Sequence, residues 1–316
     1  MAQVGGTMNR LEHPCYLADL EAAATCGADW SVLDGATIGI SGATGMVGAF
    51  LVDLLMGEVR VGRLDARIVA LGRSEARARG RLPYFGDARF AFGECDVSVP
   101  GNRPGMPADV VIHLASTTHP RAYATQPIST ITSNVTGLQN LIEWQLASNP
   151  SGRFCFASSV EVYGQNRGDV TAFDEAYCGY LDSNTLRAGY PESKRLGEAL
   201  CQAYATERGA QVFVPRLLPT DTKALSQFLA KGIAGEDVVL KSEGTQQYSY
   251  LHVADAASGL LWVLTRGGVG EAYNVADPSG DTSLRDLAQA IAISTGTHVV
   301  FDLPDEVERA GYSTAT

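Results

Sequence analysis

From about residue 36 the chain alternates short runs of β-branched and apolar residues with longer stretches whose apolar positions recur at helical spacing. Residues 37–41, 67–71, 110–114, 154–157 and 211–215 read as strands, and each gap between them is long enough for a helix. Strand alternating with helix implies a parallel sheet with crossover helices, and right-handed crossovers make that sheet doubly wound. Ahead of it, Leu17, Leu20 and Ala24 stand at helical spacing within residues 13–33, which predicts a covering helix. Beyond Leu218, residues 224–233 and 254–264 read as helices and 272–276 as a strand, and Ser283 with Asp286 caps a further helix. The expected organisation is an extension over 1–35, a sheet domain over 36–216 and a smaller C-terminal substrate-binding annex over 217–316. Segments near 252–276 are expected to return to the sheet domain.

Composition narrows the function classes. A length of 316 residues suits about two domains, or one with a substantial annex. The formal charge of −11 argues against nucleic-acid binding, which needs a cationic face. The longest apolar runs, such as residues 260–264, fall far short of the roughly 18 residues of a bilayer span, so no membrane partner is expected. Residues 1–10 lack the pattern of a secretory signal, and a cytoplasmic location is the expectation. Six cysteines (Cys15, Cys26, Cys95, Cys155, Cys178, Cys201) form no C-x-x-C pair, and five histidines show no ligand spacing; reduced thiols and no metal are expected.

The first strand runs into Ser41-Gly42-Ala43-Thr44-Gly45-Met46-Val47-Gly48 and then an apolar helix. Glycines permit a tight turn and close approach of backbone N–H groups to a pyrophosphate, and the helix N-terminus adds partial positive charge. A glycine triplet alone is weak; the strand before and the helix after give it weight as the phosphate loop of a Rossmann doubly wound sheet. At the end of the second strand, where an acid normally meets the ribose 2′-hydroxyl, the chain has Gly72-Arg73-Ser74, followed by Arg77, Arg79 and Arg81. A guanidinium there suits a 2′-phosphate, so NADP stands beside NAD; alternatively these arginines form a solvated helix face. Asp96-Val97 is placed to meet the adenine.

Tyr190-Pro191-Glu192-Ser193-Lys194 opens a helix, with Pro191 in its first turn. Tyr190 and Lys194 are four apart and share a face, while Leu196, Ala199, Leu200, Ala203 and Tyr204 are expected to bury. An ammonium beside a phenol favours the phenolate, as does the charge of an oxidised nicotinamide, which makes Tyr190 a candidate base. Upstream, Ser158-Ser159 ends a buried strand at the ligand edge of the sheet, where Ser159 is expected to hydrogen-bond the reacting oxygen. Y-x-x-x-K is common by chance; its order after the glycine loop and the serine is not.

With these features go Val111-Ile112-His113-Leu114-Ala115-Ser116, Asn134-Val135-Thr136-Gly137, Ser158-Ser159-Val160-Glu161-Val162-Tyr163-Gly164 and His252-Val253-Ala254-Asp255. On them the chain resembles the extended short-chain dehydrogenases/reductases, in the group of nucleotide-sugar epimerases, dehydratases and decarboxylases. The resemblance implies a catalytic set of Ser159, Tyr190 and Lys194, with Glu161 either catalytic or salt-bridged. It implies an NAD(P) site formed by Gly42, Thr44, Gly45, Met46, Val47, Gly48, Arg73, Asp96, Val97, Leu114, Ala115, Ser116, Asn134, Tyr190 and Lys194. Thr117, Ser159, Glu161 and Tyr248 would meet a small-molecule substrate, a UDP-sugar oxidised to a 4-keto intermediate. A homodimer would pair through the tyrosine helix and residues 135–146, with Gly197, Ala199 and Ala203 allowing close packing.

Three departures stand out. The 4,6-dehydratases carry an Asp-Glu pair where this chain has Val160-Glu161, which disfavours dehydration; UDP-glucuronate decarboxylases keep the glutamate. Seven residues before Asp255 the group has an arginine, and here Tyr248 cannot neutralise an anion. Residues 214–221 stand where the resemblance implies a loop roughly ten residues longer; either the loop is short or residues are omitted near 217–220 and at the C-terminus, and omission is the expectation. Decarboxylation or 4-epimerisation of a UDP-sugar therefore leads, beside an NADPH-dependent carbonyl reductase and a non-catalytic NAD(P)-binding sensor.

Overall fold

The computed structural model describes residues 9–116, 125–220 and 222–303. In chain order the strands are β1 (Thr37–Ser41), β2 (Arg67–Gly72), β3 (Phe90–Glu94), β4 (Val110–His113), β5 (Arg153–Phe156), β6 (Ser158–Ser159), β7 (Gln211–Leu217), β8 (Val238–Leu240), β9 (Gln247–Ser249), β10 (Ala272–Val275), β11 (Asp281–Ser283) and β12 (Val299–Phe301). The α-helices are α1 (Pro14–Ala24), α2 (Met46–Arg60), α3 (Glu75–Arg81), α4 (Pro127–Ser148), α5 (Gly189–Arg208), α6 (Lys223–Ile233), α7 (Val253–Arg266) and α8 (Leu284–Thr295).

Two compact units result. The first runs to Leu217 and resumes over Val253–Val275; the second takes Leu218–His252 and the chain from Ala276 onward. In the first, the strands lie in the order β3-β2-β1-β4-β5-β7-β10, all parallel, with β6 also paired to β7. The order reverses direction between β1 and β4, the crevice where doubly wound sheets bind ligands. Both faces of the sheet are covered, so its strands are apolar throughout rather than alternating: Ile38, Ile40, Val111, Ile112, Phe154 and Val212 are fully buried.

The covering helix stops at Ala24, short of Leu33; a left-handed turn at Gly27 and a 3-10 turn over Trp30–Leu33 follow. Its start is anchored far away in sequence. The buried carboxylate of Asp53, on α2, accepts hydrogen bonds from Arg10 Nε (2.6 Å), Tyr16 Oη (2.6 Å) and Tyr84 Oη (2.9 Å).

Helix α5 departs from the expected amphipathic pattern. Its buried face is Tyr190, Pro191, Ser193, Lys194, Gly197 and Cys201, whereas Leu196 is 48% exposed and Ala199 and Ala203 face outward. A Cβ at Gly197 would sit 2.5 Å from the Phe156 ring, so this glycine serves intramolecular contact with β5. The polar residues face in because the sheet edge needs them there.

In the second unit β8 pairs in parallel with β12, and β9 antiparallel with β11. Helices α6 and α8 enclose Phe228, Val238, Leu240, Ala288, Ile291 and Ala292. Ser283 caps α8 by accepting from Asp286 N (3.0 Å) while its hydroxyl donates to the Asp286 carboxylate (2.6 Å). Among the described residues no helix is long and apolar enough to cross a membrane.

Candidate active site

The loop between β1 and α2 is shaped for close backbone approach. Gly42 has φ +73°, and a Cβ there would lie 2.9 Å from the backbone N of Ala115; one at Gly48 would lie 2.2 Å from the Gly42 carbonyl oxygen. Gly45 is the N-cap of α2 and supplies no side chain to cap it. The first-turn N–H groups, from Met46, Val47 and Gly48, therefore keep their capacity for an anion, beside half-buried Thr44 and 45%-exposed Met46. A cradle that a Cβ would fill, opening on a helix N-terminus, fits a dinucleotide pyrophosphate.

The facing strand end is fixed by two residues that sequence reading left without a role. Ser41 Oγ accepts from Ala115 N (3.2 Å) and donates to His113 Nδ1 (2.7 Å), while Leu114 N donates to the Ser41 carbonyl (3.2 Å). Burial first, and then the Lys194 charge, push His113 down to about 3, so its ring is a neutral acceptor.

At the far end of the sheet Arg73 is exposed, and β2 ends with no carboxylate. Asp96 lies beyond β3, its carboxyl held below the usual range first by the Ser98 hydroxyl (2.6 Å) and also by the Arg73 charge. Val97 packs toward Gly137 of α4, and its carbonyl accepts from Asn140 (2.8 Å). Of the later arginines, Arg79 pairs with Glu75 and lies over Phe85, and Arg77 and Arg81 are exposed.

Ser159, Tyr190, Lys194 and Glu161 come together at the carboxyl ends of the strands. The Ser159 hydroxyl is hydrogen-bonded to the Tyr190 phenol and also accepts from Glu161 N (3.2 Å). Lys194 Nζ donates to the Ala157 carbonyl (2.7 Å) and stands 5.8 Å from the Tyr190 ring centroid. Burial lowers Lys194 to about 8 and raises Tyr190 to about 12; the Ser159 hydrogen bond lowers the phenol and the Glu161 charge raises it. Desolvation is thus the largest influence on the Tyr190 phenol. Glu161 is itself raised by burial, against a weaker opposing pull from exposed Arg187 at 3.6 Å.

Asn134, fully buried on α4, joins the two halves of the site. It accepts from Ser116 Oγ (2.6 Å) and donates to Ser193 Oγ (2.7 Å), whose hydroxyl donates to the Tyr190 carbonyl (2.8 Å). Thr117 lies outside the described residues. Tyr248 belongs to the second unit, on β9, with its ring 5.9 Å from that of Tyr250.

The model of the NAD dependent epimerase/dehydratase family matches residues 38–276. The chain belongs to that family. Among curated relatives it is 30% identical over 278 residues to UDP-glucuronic acid decarboxylase 1 of Danio rerio, covering 84% of this chain and 62% of that protein. It is 27% identical to UDP-glucuronic acid decarboxylase 3 of Arabidopsis thaliana, covering 92% and 82%. Thus the chain spans less than two thirds of the zebrafish protein. Among solved structures, a UDP-glucose 4-epimerase of Thermotoga maritima with UDP-glucose matches at TM-score 0.69 and 19% identity, covering 86% of this chain and 87% of that one. A dTDP-glucose 4,6-dehydratase of Streptomyces venezuelae with NAD bound matches at 0.69 and 20%, covering 85% of each. These likenesses give the same Rossmann fold. Among the described residues no group of His, Cys, Asp and Glu is placed to hold a metal.

Proposed function

We propose that this chain is an enzyme acting on a nucleotide-activated sugar through a 4-keto intermediate with bound NAD(P), and that UDP-glucuronate decarboxylation is its reaction. The observation that carries the reading is Glu161: a carboxyl raised by burial, within electrostatic reach of Tyr190 and next to Ser159. The relatives' names point to the same substrate.

In this reading the Gly42 to Gly48 loop, Leu114, Ala115 and Ser116 hold the cofactor, whose nicotinamide supplies a hydride acceptor and, when oxidised, a positive charge. Such a charge would favour the Tyr190 phenolate, and Tyr190 takes the proton of the sugar 4-hydroxyl. Ser159 holds the same oxygen, and Lys194, fixed on the Ala157 carbonyl, stabilises the phenolate. Glu161 then serves as the acid or base next to the 4-keto group. Val160 leaves no aspartate for dehydration.

Arg73 supplies a cation where β2 ends without an acid, which supports NADP beside NAD. Arg73, together with Tyr248 in place of an arginine, favours one second reading, an NADPH-consuming carbonyl reductase. Denaturing the purified protein and identifying the released nucleotide separates the two. Retained oxidised cofactor supports the sugar enzyme; an empty site that takes up NADPH and oxidises it with a carbonyl compound supports the reductase.

The same proposal includes a homodimer through α4 and α5, whose outer positions Ile128 (79% exposed), Ile131 (42%) and Leu196 (48%) would be covered by a second copy. Light scattering that returns a monomer mass would refute it. The cysteines described are free thiols, which suits a reducing cytoplasm.

A further inference from the structure

Glu198 lies one helical turn beyond Lys194 on α5, so the two side chains share a face. Three donors fix its carboxylate. Arg216 of β7 grips it with Nε (2.9 Å) and Nη2 (2.7 Å), and Ser158 Oγ, next to Ser159, donates at 2.5 Å. Arg216 is anchored in turn: Nη1 donates to Tyr163 Oη and to the Glu175 carbonyl, both at 2.8 Å. Tyr163 Oη donates to Asn274 Oδ1 (2.6 Å), and Asn274 Nδ2 donates to the Phe173 carbonyl (3.0 Å). A surface ion pair needs none of this scaffolding.

We propose that Glu198, clamped by Arg216 and Ser158, is a positioning residue whose fixed negative charge holds the buried Lys194 side chain as an ammonium. Among the described residues, the ionisable groups around Lys194 are Tyr190, Glu198 and Cys201 on its own helix, Glu161 beside Tyr190, His113 from β4, Cys155 beside Cys201 from β5, and Arg216 of β7 on the far side of Glu198. His113 is neutral, burial raises Tyr190, both thiols and Glu161, and Glu198 is the carboxylate whose charge acts on Lys194. Its charge is the largest influence opposing the desolvation of Lys194. Arg216 holds that carboxylate in place with two of its three donors.

The proposal rests on Lys194 belonging to the site, but its test needs no turnover. The chain has four lysines. Lysine labelled with ¹³C at Cε gives a small set of titrating signals, and Lys194→Met identifies the one from Lys194. In the native chain that signal titrates with a midpoint near 8. Glu198→Gln, which keeps the shape and a neutral hydrogen bond to Ser158, lowers the midpoint by about one pH unit. Glu198→Asp, which keeps the charge, leaves the midpoint closer to the native value than Glu198→Gln does, and Glu198→Ala stands as the test if Glu198→Gln does not fold. A midpoint equal to the native one in whichever neutral variant folds, Glu198→Gln or Glu198→Ala, overturns the proposal. Either result leaves the assignment of the reaction untouched, since no substrate is present; equally, a failure of every sugar nucleotide to react leaves this titration standing.

Discussion

Gly48→Ala isolates the dinucleotide cradle. The added Cβ would meet the Gly42 carbonyl oxygen at 2.2 Å and the Ala43 Cα at 2.9 Å, both backbone atoms that cannot rotate away. Restoring even 3.0 Å means parting the loop from the first turn of α2 by about 0.8 Å, and that gap is where the pyrophosphate would seat. Overpacking of this kind costs about 1–3 kcal/mol. Where that cost falls only on the binding-competent form of the loop, cofactor affinity drops by roughly 5- to 150-fold. Gly57→Ala, on the same helix, meets nothing within 4 Å and should gain about 0.5–1 kcal/mol of stability with no change in affinity. Calorimetric titration with NAD and NADP, beside urea denaturation of both variants, makes the comparison. If Gly48→Ala binds within twofold of the native chain, the cradle is not the pyrophosphate site.

Three further outcomes follow from the geometry. Tyr190→Phe should remove most turnover and leave cofactor binding intact, and unchanged activity would contradict its role as base. His113 titrates near 6.5 when unfolded and near 3 when folded, so as pH falls below 6.5 the unfolded chain takes up a proton that the native chain does not. Its contribution thus costs stability on acidification, about 2 kcal/mol between pH 7 and pH 5; in urea denaturation His113→Gln should lose less than the native chain over that interval, and parallel losses would refute the buried neutral ring. Asp53→Asn leaves Arg10, Tyr16 and Tyr84 without their shared carboxylate and should lower unfolding stability by about 3 kcal/mol, whereas a loss under 0.5 kcal/mol would show that the N-terminal segment is not held there.

Local pattern revealed the parts of the molecule that are locally determined. The run from β1 through the glycine loop into α2 is one continuous stretch of chain, and its apolar residues, turn and helix start all obey short-range rules. The order of Ser159, Tyr190 and Lys194 was equally readable. What escaped depends on distant partners. Polar burial on α5 runs against helical amphipathicity, because its inner face meets strand ends and Asn134 as well as the Phe156 ring. The Asp53 knot joins residues 31 to 43 positions apart. The second unit's strands are three residues long, too short for alternation to show, and pair across wide gaps such as Val238 with Val299. Ser41, His113 and Ser193 are single polar residues within apolar or helical stretches; only their position next to recognised motifs marks them in the sequence.

The central claim is most directly tested by giving the purified protein, with its cofactor, UDP-glucuronate, UDP-glucose and UDP-N-acetylglucosamine separately and analysing the products by mass and anomeric spectrum. The site described here predicts conversion of UDP-glucuronate to a UDP-pentose with release of carbon dioxide and no net consumption of nicotinamide cofactor. No change in any of the three, with NADPH oxidised instead when a simple carbonyl compound is supplied, would contradict it.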